Sequence, residues 1–169
     1  MWRVALWALS LCLAACQAEL PRAPEPTQAT LTPLPTQDAL TSIWLEQPFG
    51  GGVLAVYFYS AEGVPCLRFL ADLPDAQPFS ACAEPSAAAV VVQGVVRSVD
   101  GAPYTIIAVR ALQPEVSVVA IELRNGESYP LEIEDGGALL ILPEAHQAWQ
   151  AVPIDAFGNI VGRLLRLNP

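Results

Sequence analysis

The sequence predicts an all-β fold, an antiparallel β-sandwich, over residues 38–169. Residues 104–142 consist of successive strand-like segments joined by short turns rich in glycine, asparagine and aspartate. Similar segments precede and follow this region, which gives roughly eight to ten strands. Strands at this spacing favour a sandwich or barrel over an alternating β/α arrangement.

One hairpin within this region defines its own register. Apolar and polar side chains alternate along residues 117–123 and again along residues 128–134. Gly126 lies in the loop between the two segments. A two-residue Asn-Gly loop would place Val119 opposite Glu132 and mix apolar and charged groups on one face. A three-residue loop with Gly126 in the left-handed conformation of a bulge separates the two faces better. This register predicts the pairs Ile121–Tyr129, Val119–Leu131, Glu122–Ser128 and Val118–Glu132.

The other elements follow from alternation, turn residues and proline. Val53 begins a second hairpin that turns at Ala61-Glu62-Gly63. Residues 138–142 are a nearly continuous apolar run, as in a strand covered on both sides. Residues 72–89 are predicted to be a loop that crosses between sheets. Pro143 is suited to the first position of a single helical turn over residues 143–147. Residues 40–47 are predicted to be an edge strand or a short cap. The remaining predicted strands are 53–60, 64–70, 90–97, 104–112, 149–155 and 160–167.

The amino terminus predicts export. Residues 1–15 contain one positive residue, Arg3, and then an apolar run too short to span a membrane, as in a signal peptide. The end of this run, Leu13-Ala14-Ala15-Cys16, resembles the lipobox of bacterial lipoproteins. The resemblance implies a diacylglyceryl thioether on Cys16, cleavage before it, acylation of the new amino terminus in many bacteria, and anchoring on the extracytoplasmic side of the cell membrane or outer membrane.

Residues 16–37 change composition to proline, threonine, glutamine and alanine. Such a segment buries too little apolar surface to fold, so we expect a disordered tether. About 20 residues at ~3.1 Å each would reach up to roughly 60 Å.

The carboxyl-terminal part resembles a known type of module. The stretch Val152-Pro153-Ile154-Asp155-Ala156-Phe157-Gly158-Asn159-Ile160-Val161 is similar to the closing hairpin of bacterial immunoglobulin-like surface modules, in which an aspartate before Gly-Asn ends a strand. The resemblance implies an immunoglobulin-like sandwich. Pro153 interrupts the pattern and predicts an edge strand there.

Charge and cysteine content limit the class of function. The chain has 169 residues, eight of them basic and 17 acidic, and a net charge of −9, so nucleic acid is not an expected partner. Cys66 and Cys82 are the cysteines left once Cys12 is cleaved off and Cys16 is lipidated, and an exported domain most often pairs two such thiols. A reactive thiol pair is the alternative, but it lacks Cys-x-x-Cys spacing.

No catalytic signature is found, and we expect neither a cofactor nor a metal. His146 is the single histidine, it lies in a predicted surface turn, and no serine occupies a Gly-x-Ser-x-Gly context. The Asp100-Gly101 and Asp135-Gly136 pairs are typical of turns, so they need no calcium to explain them.

We therefore expect a non-catalytic binding or structural domain whose partner is an envelope protein or a glycan. A carbohydrate-binding or cell-wall-binding module and a small envelope hydrolase are the alternatives. The aromatic residues that could stack on sugar rings are Trp44, Tyr57, Tyr59 and Trp149.

Overall fold

The computed structural model describes residues 40–167, with side chains from residue 43 onward. The predicted signal peptide, the lipidation site Cys16 and the predicted tether lie outside these residues. The described part is all-β, with antiparallel strand pairs and no helix, which confirms the predicted fold class. Its eleven strands are β1 (Leu40–Phe49), β2 (Gly52–Ala61), β3 (Val64–Ala71), β4 (Phe79–Cys82), β5 (Ala89–Arg97), β6 (Pro103–Ala111), β7 (Val118–Leu123), β8 (Ser128–Glu132), β9 (Gly137–Pro143), β10 (Ala148–Ile154) and β11 (Leu165–Arg166).

The strands form three sheets. The first sheet has the order β1-β2-β3-β4, the central sheet β5-β6-β9 and the third sheet β11-β10-β7-β8. One core cluster joins the first sheet to one face of the central sheet. Its fully buried side chains include Leu67 from the first sheet and Ile106 from the central sheet. A second cluster joins the other face of the central sheet to the third sheet, with Ile107 and Ile121 at its centre. The sandwich therefore has three layers, and the central one is buried on both sides.

Burial on both faces explains the continuous apolar runs in the central strands. In β6, Ile106 and Ile107 point to opposite faces and each is 0% exposed. In β9, Leu139 packs against one cluster and Leu140 against the other, as the run 138–142 predicts. Gln93 adds a polar link between layers, because its side-chain amide both donates to and accepts from the β10 backbone at Ala148, at 3.1 Å each.

The predicted register of the β7–β8 hairpin is confirmed. Gly126 has φ 91° and donates to the Leu123 carbonyl at 3.0 Å, which closes the three-residue loop. The observed pairs are Val118–Glu132, Val119–Leu131, Ile121–Tyr129 and Glu122–Ser128, together with Ala120–Pro130.

Three predicted elements are wrong. The segment 72–89 is not all loop, because β4 forms within it and pairs with β3. Residues 143–147 form no helical turn, because the buried Thr105 hydroxyl donates to the Glu144 carbonyl at 3.0 Å and accepts from the His146 amide at 2.7 Å. The last predicted strand reduces to a bridge at Ile160 and the two residues of β11.

The prediction of an edge strand at Pro153 is also wrong. Strand β10 lies between β7 and β11. However, β11 pairs only with Gln150 and Ala151, so the flank of β10 at Pro153 lies beyond it. The Pro153 carbonyl accepts from the Val161 amide at 2.9 Å on that flank. Since the nitrogen and carbonyl of one residue point to the same side of a strand, the proline nitrogen also lies on this flank, and its missing N–H removes no hydrogen bond to β7 or β11.

Candidate functional site

The four aromatic residues proposed as ligand contacts do not form one surface. Trp44 packs against the core and stacks on Phe58, with ring centroids 5.2 Å apart. Trp149 lies on β10 of the third sheet and is 40% exposed. Tyr57 and Tyr59 lie two residues apart on β2 and therefore share one face of the first sheet. That face is turned away from the central sheet, because the intervening Phe58 packs against the core.

We call this surface the outer face of the first sheet. A row of direct cross-strand neighbours crosses it from β1 to β4, formed by Ile43, Tyr57, Arg68 and Ser80. Such neighbours have Cβ atoms about 4.5–5.5 Å apart, so their side chains act as one surface. The next row contains Tyr59 opposite Cys66.

Arg68 is the unusual member of the outer face. It is only 8% exposed although it points away from the core, and its guanidinium carbon lies 5.3 Å from the centroid of the Tyr59 ring. Sequence reasoning missed it. The available signal was a charge inside the strand-like run 64–70, where alternation places Arg68 on the face of the tyrosines.

The disulfide fixes one end of the outer face. Cys66 and Cys82 form the predicted bond, which joins β3 to β4 at directly paired positions. Cys66 is buried, whereas Cys82 is exposed on the short edge strand. The covalent link therefore holds β4 beside β3 and with it Ser80 beside Arg68.

His146 takes part in closing its own loop. Its Nε2 atom lies 2.8 Å from the Pro143 carbonyl oxygen, and its backbone amide binds Thr105. A triad would need the ring near a nucleophile and an orienting acid, and no hydrogen bond of that kind is present at His146 within residues 43–167.

The carboxylates with a lowered pKa form hydrogen bonds within their own turns. The Ser98 hydroxyl is the main cause of the low pKa of Asp100, and the Asn125 amide is the main cause for Glu127. The same Glu127 carboxylate accepts from the Tyr129 hydroxyl and raises the pKa of that phenol. In the described part of the chain, no group of three or more histidine, cysteine, aspartate or glutamate residues could hold a metal ion.

A second surface feature is the loop after β10, within the stretch 152–161 that the sequence singled out; the exposure of its Phe157 was not predicted. Asp155 Oδ1 accepts from the backbone amides of Phe157 and Asn159 at 2.8 Å each, and Asp155 Oδ2 accepts from the Asn159 side chain at 2.9 Å. The loop thus has a defined conformation, and it presents Phe157 with 91% of its surface exposed. Ile160 follows at 58% exposed.

Comparison with known proteins identifies no relative, since no protein family, curated protein or solved structure matches the chain. Among the residues described here, no helix is long and apolar enough to cross a membrane.

Proposed function

We propose that this protein is a lipid-anchored protein of the bacterial cell envelope whose β-domain binds a partner outside the cytoplasm and does not catalyse a reaction. The lipobox-like sequence Leu13-Ala14-Ala15-Cys16 carries the proposal. The Cys66–Cys82 disulfide supports it, because disulfides form and persist in oxidising compartments outside the cytoplasm.

The anchoring chemistry follows from the lipobox resemblance. A thioether-linked diacylglyceryl group on Cys16 brings two acyl chains, enough for stable attachment where one chain is marginal. The proline-rich composition of residues 16–37 suits a spacer. A spacer would keep a chain of net charge −9 away from anionic headgroups.

Metabolic labelling tests the anchor. The full chain, expressed in a bacterium fed labelled palmitate, is expected to incorporate label and to lose residues 1–15. Cys16→Ala should abolish both labelling and cleavage. Cys12→Ala is the matched control, because it removes a cysteine four residues earlier in the same apolar run, and it should leave labelling intact. Labelling that persists in Cys16→Ala would contradict the proposal.

The binding role is supported by the outer face, where Arg68, Tyr57 and Tyr59 adjoin on the side turned away from the central sheet. The contacts of His146 with its own loop weigh against the envelope hydrolase. Replacement of His146 by alanine separates the two classes. Partner capture from crosslinked membranes should be unchanged in His146→Ala, whereas loss of a hydrolytic activity in that variant, with the fold intact by circular dichroism, would favour the enzyme.

A further inference from the structure

Arg68 is a buried cation with no counter-charge among the residues that the structure describes. Its Nε atom is shielded from solvent and makes no hydrogen bond, and no carboxylate of the described residues lies within 4.0 Å of the guanidinium. Removing a charge from water without a partner is costly. The chain has 17 acidic residues, so its composition offers many carboxylates that could have paired with Arg68.

Two other arginines, Arg110 and the exposed Arg163, differ from Arg68 in this respect. Arg110 also lies over an aromatic ring, with its guanidinium carbon 4.2 Å from the centroid of Phe58, but its Nη1 donates to the Asp135 carbonyl at 3.0 Å. Arg163 pairs with Glu84. Within the described residues, the position beside the Arg68 guanidinium on the outer face therefore has no acceptor.

The end nitrogens of Arg68 and its row neighbours define that position. Nη1 and Nη2 make no hydrogen bond to described residues. Tyr57 on one side and Ser80 on the other offer hydroxyl donors that are equally unused within the described part of the chain. An oxyanion placed at the end of Arg68 would meet two guanidinium donors, and the residues paired directly with Arg68 on either side carry hydroxyls.

We propose that the outer face binds the carboxylate of a sugar acid, such as a uronic acid residue of a glycan. A planar carboxylate matches the two end nitrogens of a guanidinium. Beside the cation, the ring of Tyr57 and the side chain of Ile43, which is 56% exposed, supply an apolar surface for the C–H face of a sugar ring. A bare inorganic anion would leave this surface unused. The inference deepens the proposed binding role and does not depend on the lipid anchor.

The test is a titration of the full chain, purified in detergent, with trigalacturonic acid, followed by ¹⁵N NMR of the Arg68 Nε–Hε group. Trigalacturonic acid is expected to shift this resonance and the amides of Tyr57 and Ser80. The neutral galactose trisaccharide should shift none of them. Inorganic phosphate tests the other source of an oxyanion, and phosphate binding without uronate binding would overturn the sugar-acid assignment.

Two variants separate recognition from folding. Arg68→Gln should weaken trigalacturonate binding at least tenfold, because a charge-assisted pair is lost. Its thermal midpoint without ligand should not fall, since the variant also removes an unpaired buried charge. Arg68→Lys retains the charge without the planar fork and should bind with intermediate affinity. Arg110→Gln is the matched control and should bind as the parent protein does.

Equal affinity in the parent protein and Arg68→Gln, or equal binding of the charged and neutral trisaccharides, would overturn the proposed site. Palmitate labelling of the same preparation distinguishes the two proposals. An unlabelled protein that still binds trigalacturonate would contradict the anchor alone, and a labelled protein that does not bind it would contradict this site alone.

Discussion

Gly94→Ala tests how the short strand β4 is held against the central sheet. A Cβ atom at Gly94 would come closer than 3.0 Å to three ring atoms of Phe79, so the ring would have to move. Phe79 stacks on Phe69 with centroids 5.0 Å apart, and losing that stack costs about 0.5–1.5 kcal/mol. Overpacking adds about 1–3 kcal/mol. We expect Gly94→Ala to lower the free energy of unfolding by about 2–4 kcal/mol.

A double-mutant cycle with Phe79 tests whether the Phe79 ring causes this loss of stability. In a Phe79→Ala background the space at Gly94 is open, and alanine is favoured over glycine in a strand by about 0.5–1 kcal/mol. Gly94→Ala should then be neutral or stabilising. Urea denaturation of the full chain in detergent, followed by far-UV circular dichroism, measures all four proteins. Equal destabilisation in both backgrounds would refute the proposed contact.

Three further predictions concern the disulfide and two turns. The double variant Cys66→Ala/Cys82→Ala should lower the free energy of unfolding by about 3 kcal/mol, because a crosslink spanning 16 residues restricts the unfolded chain. Its thermal midpoint should fall, and dithiothreitol should cause the same fall in the parent protein. An unchanged midpoint would contradict the prediction. Gly126→Ala should lower the free energy of unfolding in urea by about 1 kcal/mol. The cause is the backbone, since φ at Gly126 is 91° and a Cβ atom there would meet nothing within 4 Å. An unchanged free energy would show that the loop relaxes. The Asn159 side-chain amide is the main cause of the low pKa of Asp155, so the loop should gain stability that is present above about pH 4 and lost as the pH falls through the lower folded pKa. NMR titration of the Asp155 carboxyl carbon checks this, and an ordinary midpoint would disprove it.

The hairpins were predictable because their determinants are local. The loop Arg124-Asn125-Gly126 and the alternation on each side of it specify the β7–β8 register without reference to the rest of the molecule. The apolar run 138–142 likewise indicates a strand covered on both faces, as β9 is.

Longer-range contacts explain the misses. Residues 143–147 have the composition of a helical turn, but Thr105, about 40 residues earlier, takes up their backbone groups. β4 contains Phe79 and Cys82, and its place is decided by Gly94 on another sheet and by a crosslink to Cys66. No local pattern contains these partners.

The sequence by itself determined the all-β class, the hairpin strands with their turns, and the faces of those strands, because these depend on periodicity and backbone preference over a few residues. The tertiary structure decided that three sheets stack with β5-β6-β9 in the middle, and that Arg68 is buried beside Tyr59 with no acid from the described part of the chain beside it. Apolar attraction is non-directional, so an apolar face does not specify which sheet covers it. The partners of Arg68 become known only once the strands that surround it are in place.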